Sequence, residues 1–170
     1  MENRTKRDHK LIHLVSEFEA MSETGNLSYL DEKTYYQLID YYQGEFLINK
    51  ALSVAQMAID QFQYRVEFYL TKAKLLIKDK QYEDALMALE EAEIISPFEH
   101  EIIMLKARCI GGNSGIKMLE PLKQFAGKEE FCEILYSEAL IFEGEKRYKK
   151  MFSKLEELLF INPLYTVALE

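Results

Sequence analysis

Residues 66–99 read VEFYLTKAKLLIKDKQYEDALMALEEAEIISPFE, and this stretch decides the fold. Apolar residues fall at helical spacing twice within it: Tyr69, Leu70, Ala73, Leu76 and Ile77, then Tyr82, Ala85, Leu86, Leu89 and Ala92. Asp79-Lys80-Gln81 between the two runs reads as a turn, and Pro97 stops the second helix because it cannot donate the next backbone hydrogen bond. The stretch is therefore a helical hairpin, and it repeats. Ala51 and Ala58 recur as Ala85 and Ala92, and Ile48 and Leu52 recur at the same interval as Tyr82 and Leu86. Tyr35, Tyr69 and Ile103 form a second series with this interval, and Ile39, Ala73 and Ala107 a third. The interval is the period of a stacked helix-turn-helix unit, whose helices approach closely only where side chains are short. Tyr82 and Pro97 are echoed by Tyr148 and Pro163, at a spacing that falls two positions short of twice the period.

The rest of the chain is placed by working outward from this unit. A helix from about Asp8 to Met21 carries Leu11, Leu14, Val15, Phe18 and Met21 on one stripe, with Lys10, Glu17 and Glu19 opposite; it reads as an N-terminal capping helix (1–27) ended by Gly25 and Asn26. Hairpin one (32–65) starts after Asp31, which reads as a helix cap, and Gly44 breaks the chain before its second helix, about Leu47 to Phe62. Hairpin two is 66–99. Hairpin three (100–131) keeps Ile103, Met104, Ala107 and Ile110, but Gly111-Gly112-Asn113-Ser114-Gly115 replaces an ordinary turn and Pro121 falls in a second helix placed near Ile116 to Ala126. Proline inside a helix costs about 3 kcal/mol, so this helix is expected to be short or kinked. Hairpin four (132–165) restores the pattern with Tyr136, Ala139, Leu140 and Phe142, then Tyr148, Met151, Phe152, Leu155 and Leu158. Residues 166–170 are a tail or the start of a further helix.

The order Tyr69, Ala73, Leu76, Tyr82, Ala85, Leu89, Ala92, Pro97 resembles the tetratricopeptide repeat, and the resemblance covers residues 32–165. One slot departs from the family pattern: Lys72, Lys106 and Glu138 stand where leucine is usual. The resemblance implies an all-α, right-handed superhelical stack of antiparallel helix hairpins, of the kind found in bacterial cytoplasmic proteins. It also implies a concave groove lined by the first helix of each hairpin. Carried onto this chain, the groove holds Tyr36, Leu70, Met104 and Tyr136 in one row and Asp40, Lys74, Arg108 and Leu140 in another, with Gln43 and Lys78 extending the second. Burial of Leu70 and Met104 in the core is the competing reading. Such a surface suits an extended or helical partner segment with apolar anchors and some acidic residues. The lysine and asparagine pattern with which related chaperone adaptors clamp a terminal carboxylate is missing.

Composition excludes several other functions. Of 170 residues, 48% are apolar, which supports a continuous core, and three prolines and seven glycines leave room for long helices. A net charge of −8 opposes nucleic acid as a main partner. The charged start MENRTKRDHK is unlike a secretory signal, and no run approaches the roughly 18 apolar residues of a membrane span, so the location expected is cytoplasmic. Cys109 and Cys132 lie far apart and read as small buried hydrophobes. The 111–115 loop could cradle a phosphate, but no Lys-Ser or Lys-Thr follows and no strand precedes it. His9 and His13, with Glu17, could share a helix face as metal ligands, though solvated side chains near a terminus are the simpler reading; Glu90, Glu91 and Glu93 are ordinary for an exposed face. No catalytic set, metal site or cofactor is expected.

The function expected is a non-enzymatic protein–protein interaction scaffold, part of a longer repeat array, with a peptide- or ligand-sensing regulatory domain of a larger enzyme or transcription regulator as the alternative. The last complete helix is apolar enough, through Phe152, Leu155 and Leu159, that two copies are expected to pack end to end as a homodimer, or the natural chain to continue.

Overall fold

The computed structural model describes residues 2–24 and 29–165, apart from the side chains of 2–9 and 23. The side chain of His9, the helix stop expected at Gly25 and Asn26, and the tail 166–170 lie outside the described residues. Those residues form α1 (Glu2–Thr24), α2 (Glu32–Gly44), α3 (Ile48–Gln61), α4 (Val66–Lys78), α5 (Tyr82–Ile95), α6 (His100–Ile110), α7 (Gly112–Lys123), α8 (Lys128–Gly144) and α9 (Tyr148–Ile161). The fold is all-α, as the hairpin period requires. The chain divides into two compact units, Met1–Leu75 and Leu76–Glu170, with the boundary inside α4.

In the first unit α2 and α3 pair as hairpin one, and α1 lies on α2. Asp31 caps α2: its Oδ1 accepts the Thr34 N–H at 2.7 Å, satisfying one of the free donors of the first turn. Tyr35, Leu38, Ile39 and Tyr42 face Ala51, Val54, Ala55, Ala58 and Ile59, and all nine are buried. Val15 and Phe18 supply the buried part of α1. Glu19 does not face water freely as expected; its Oε1 accepts the Tyr42 hydroxyl at 3.1 Å and Lys50 Nζ at 2.7 Å, which pins α1 to both helices of the hairpin. An aromatic cluster closes the far end, where Phe68 stacks on Tyr36 at 4.8 Å and on Phe62 at 5.7 Å between centroids.

The second unit is built on α5 to α9. α5 packs on α6, α6 on α7 and α8, and α8 on α9. Leu119, Leu122, Ile134 and Ile141 close around Met104 and Ala107. The four alanines of the recurring slots, Ala73, Ala85, Ala92 and Ala107, are all 0% exposed, as expected of helix crossings.

Three hairpin turns share one geometry. Phe46, Lys80 and Lys146 each adopt a left-handed φ near 60° just past the first helix, and the N–H that follows each returns to a carbonyl five residues back: Leu47 to Tyr42, Gln81 to Leu76 and Arg147 to Phe142, at 2.8–2.9 Å. In hairpin one α2 ends at Gly44, where the break was expected, and Phe46 takes the left-handed angle of the turn.

Hairpin three breaks the series. Residues 112–115 are not connector but the first turn of α7, so the helix starts four residues earlier than expected and the turn shrinks to Gly111 alone. Gly111 (φ 65°, ψ −171°) and Gly112 (φ 58°) hold backbone angles that side chains disfavour. A Cβ on Gly115 would sit 2.3 Å from the carbonyl oxygen of Ala107, so α6 and α7 cross at the distance only glycine permits. Pro121 lies inside α7, which ends two residues later; at 12 residues it is shorter than α5 at 14. α8 makes up length with an extra turn, Lys128–Phe131, ahead of the slot equivalent to the start of α4.

The polar residues in the leucine slot reach back to the preceding second helix. Lys72 Nζ donates to Gln56 Oε1 at 2.7 Å, Lys106 Nζ to Glu93 Oε2 at 2.7 Å, and Lys123 Nζ to Glu138 Oε1 at 2.6 Å. Glu138 has a side chain only 2% exposed, and its second oxygen lies 3.2 Å from Lys154 Nζ. One buried carboxylate thus ties α8 to both α7 and α9.

Candidate functional site

The residues assigned to a groove do not share one degree of exposure. In the first unit Tyr36 is half-buried against Phe68, Asp40 and Lys74 are exposed, and Leu70 is 4% exposed and part of the core. In the second unit Met104 is 6% exposed; Tyr136 is half-buried with its ring 6.0 Å from that of Tyr165, Arg108 and Leu140 are half-buried, and Lys78 is exposed. Leu70 and Met104 thus occupy core positions rather than a free surface. The reason is geometric: with Lys72 and Lys106 reaching back to the preceding helix, the neighbouring apolar residues face inward.

Three of the second-unit residues, Lys78, Arg108 and Leu140, meet in one cleft of about 750 Å3 over the hairpin turns. Its walls are the ends of α4 and α5 (Lys78, Lys80, Tyr82) and of α8 and α9 (Leu140, Glu143, Glu145, Lys146, Tyr148); its floor is the α6–α7 turn, Arg108 to Gly112. The cleft exists because the middle turn is short. α6 is two residues shorter than α4, about 3 Å of helix, and its turn has one residue where the turns on either side have three. The glycine run that sequence reading set aside as a connector makes the floor of this cleft. Tyr82 and Tyr148, which recur in the repeat at the start of the second helices, are 41% and 52% exposed and stand on its walls.

Four cations, Lys78, Lys80, Arg108 and Lys146, line the cleft against two acids, Glu143 and Glu145. Glu145 is engaged by Arg147 at 3.0 Å. Among the described residues none of the four cations makes an ion pair or a side-chain hydrogen bond. Burial pulls the Arg108 guanidinium below the usual arginine range, and the nearby Tyr136, Cys109, Tyr82 and Glu143 pull it back up. Arginine nonetheless stays charged, so Arg108 is a partly desolvated cation without a bonded partner. Burial also pushes the half-buried Cys109 thiol up to about 11, which leaves it protonated and unreactive at neutral pH. No group of three or more histidine, cysteine or acidic side chains is arranged to hold a metal ion among the described residues, and none of their helices is long and apolar enough to cross a membrane.

No protein-family model and no curated relative matches the chain. Solved structures do. A thermophilic TPR protein of Thermus thermophilus, TTC0263, superposes with a TM-score of 0.63 at 15% identity, over 97% of this chain and 90% of that one. YrrB, a TPR protein with an unusual peptide-binding site, gives 0.58 at 14% identity over 98% and 86%. MamA gives 0.53 at 15% identity over 80% and 75%. Similarity at this level of identity is similarity of fold. The hairpin order, the period and these superpositions agree: the protein has the tetratricopeptide-repeat fold.

Proposed function

We propose that this protein is a non-enzymatic interaction scaffold that binds a peptide or a partner helix through the surface of the first helices of its hairpins. The observation that supports the reading most is the convergence of Lys78, Arg108 and Leu140 on one open cleft, where apolar wall and unpaired cation lie side by side on an otherwise acidic chain. Half-buried aromatics of the first helices, Tyr36 and Tyr136, offer further apolar anchors. Affinity capture from the native host tests it. The unaltered protein retains a partner that the double variant Lys74→Glu/Arg108→Glu, folded to the same helix content, releases. Equal retention by both proteins would overturn the assignment of the surface.

A second contact belongs to the same reading. In α9 Phe152 is 58% exposed and Leu155 and Leu159 are half-exposed, while Leu158 is the one residue of that helix that is buried. This apolar face is proposed to bind a second copy of the chain, giving a homodimer by end-to-end packing.

A further inference from the structure

The cleft over the α6–α7 turn has features that select one kind of occupant. Its floor includes Gly111 and Gly112, where α7 starts without a side-chain cap, its first intrahelical bond being the one Gly115 donates to Gly111 at 2.8 Å. Beside that floor stands Arg108, half-buried and without a hydrogen-bond or ion-pair partner among the described residues. A partly desolvated guanidinium gains most from a planar carboxylate that takes two of its N–H groups at once. Lys78, Lys80 and Lys146 line the same cleft and add to the positive charge that a carboxylate on Arg108 would meet.

Size and charge narrow the choice. At about 750 Å3, with Tyr82, Leu140 and Tyr148 on its walls, the cleft is far larger and more apolar than an inorganic anion requires. Glu143 and Glu145 on one wall oppose a compact dianion or trianion, whereas single negative charges spaced along a chain can sit beside the cations and away from the acids. We propose that the cleft binds an acidic segment of a partner protein, with one aspartate or glutamate carboxylate on Arg108 and apolar side chains against Leu140, Tyr82 and Tyr148. This rests on the scaffold reading and specifies the partner's chemistry. Glu143 and Glu145 on the wall then weaken the ligand's hold, and removing the charge of either strengthens it.

The test uses the full chain, 15N-labelled, with a terminally blocked hexapeptide alternating glutamate and leucine, the same peptide with glutamine or with lysine in place of glutamate, and inorganic phosphate alone. The glutamate peptide shifts the Gly111 and Gly112 amide signals, and its affinity falls with added salt. Arg108→Gln weakens binding at least tenfold. Arg108→Lys, which keeps the charge and loses the fork, falls between the two, and Glu145→Gln strengthens binding about threefold. Circular dichroism confirms equal helix content in all variants. Glycine signals that stay fixed, a glutamine peptide that binds as well as the glutamate one, or phosphate that reproduces the shifts at the same affinity would each overturn the proposal. Failure here leaves the scaffold reading standing if the host partner is still lost in the Lys74→Glu/Arg108→Glu variant. Conversely, peptide binding that depends on Arg108 supports the cleft even if no host partner is captured.

Discussion

An alanine at position 115 would place its Cβ 2.3 Å from a backbone oxygen, while an alanine at 144 would meet nothing within 4 Å. Two glycines in helices of the same protein therefore have opposite expectations. Gly115→Ala forces α6 and α7 apart and should cost about 3 kcal/mol. Gly144→Ala only removes backbone freedom from the unfolded chain and should stabilise by about 0.5 kcal/mol. Urea denaturation midpoints measure both, and equal midpoints for the two variants would contradict the close crossing. The crossing explains a feature that the repeat pattern hid. In hairpins one and two the small slot of the second helix is Ala51 and Ala85, and in hairpin three Gly115 takes it, four positions before the period would place it. The following unit restores two of those positions. From the sequence alone only the sum was visible, because an insertion and a deletion in neighbouring units partly cancel in the spacing of their flanks.

Among the elements, α8 depends most on a single residue. Glu138 sits where leucine is usual and ties α8 to α7 through Lys123 and to α9 through Lys154. Glu138→Ala leaves two lysines facing a partly buried hole and should cost about 3 kcal/mol, whereas replacing all three residues together by Met, Leu and Met should be neutral or stabilising. The pH dependence follows from the same network. Burial pulls Lys154 down, but its hydrogen bond to Glu157 and the charge of Glu138 outweigh this and hold it above its ordinary 10.5. A folded value above the unfolded one contributes stability that is complete below about pH 10.5 and fades as pH rises through the folded value. Tyr42 acts in the same direction: burial and the hydrogen bond to Glu19 push it up to about 12, so the fold holds its proton after the unfolded chain has begun to lose it at about 10. Stability should therefore fall as pH rises from about 10 to about 12, and fall less in the triple variant than in the natural sequence. α7 is the other element with its own signature. Pro121 removes one of its hydrogen bonds, so amides from Ile116 to Phe125 should exchange faster than those from Leu86 to Ala92 in α5. The reverse order would show that packing against Leu119 and Leu122 outweighs the missing bond.

For the whole molecule the expected outcome concerns association. The exposed face of α9 carries apolar area that, at roughly 25 cal/mol per Å2, would contribute several kcal/mol when covered. Sedimentation at increasing concentration should show a dimer at high micromolar protein, and Phe152→Ser/Leu159→Ser should abolish it without changing helix content. A monomer at every concentration would remove the end-to-end contact from the account.

The sequence by itself determined the architecture, because the small-residue slots and the turn signals are local and periodic: Ala73, Ala85, Ala92 and Ala107 are buried at the places their spacing required. It also located the weak unit, through Pro121 and the glycine run. What it could not decide was where that weakness leads. Whether Leu70 and Met104 face a groove or the core depends on which helix Lys72 and Lys106 reach, and that is a contact across the chain with no spacing rule. The cleft is tertiary in the same sense. No single residue announces it, since it is the difference in height between one short turn and its two neighbours. Lys78, Arg108 and Lys146 come from three different hairpins, and only folding sets the three turns side by side so that these cations line one space.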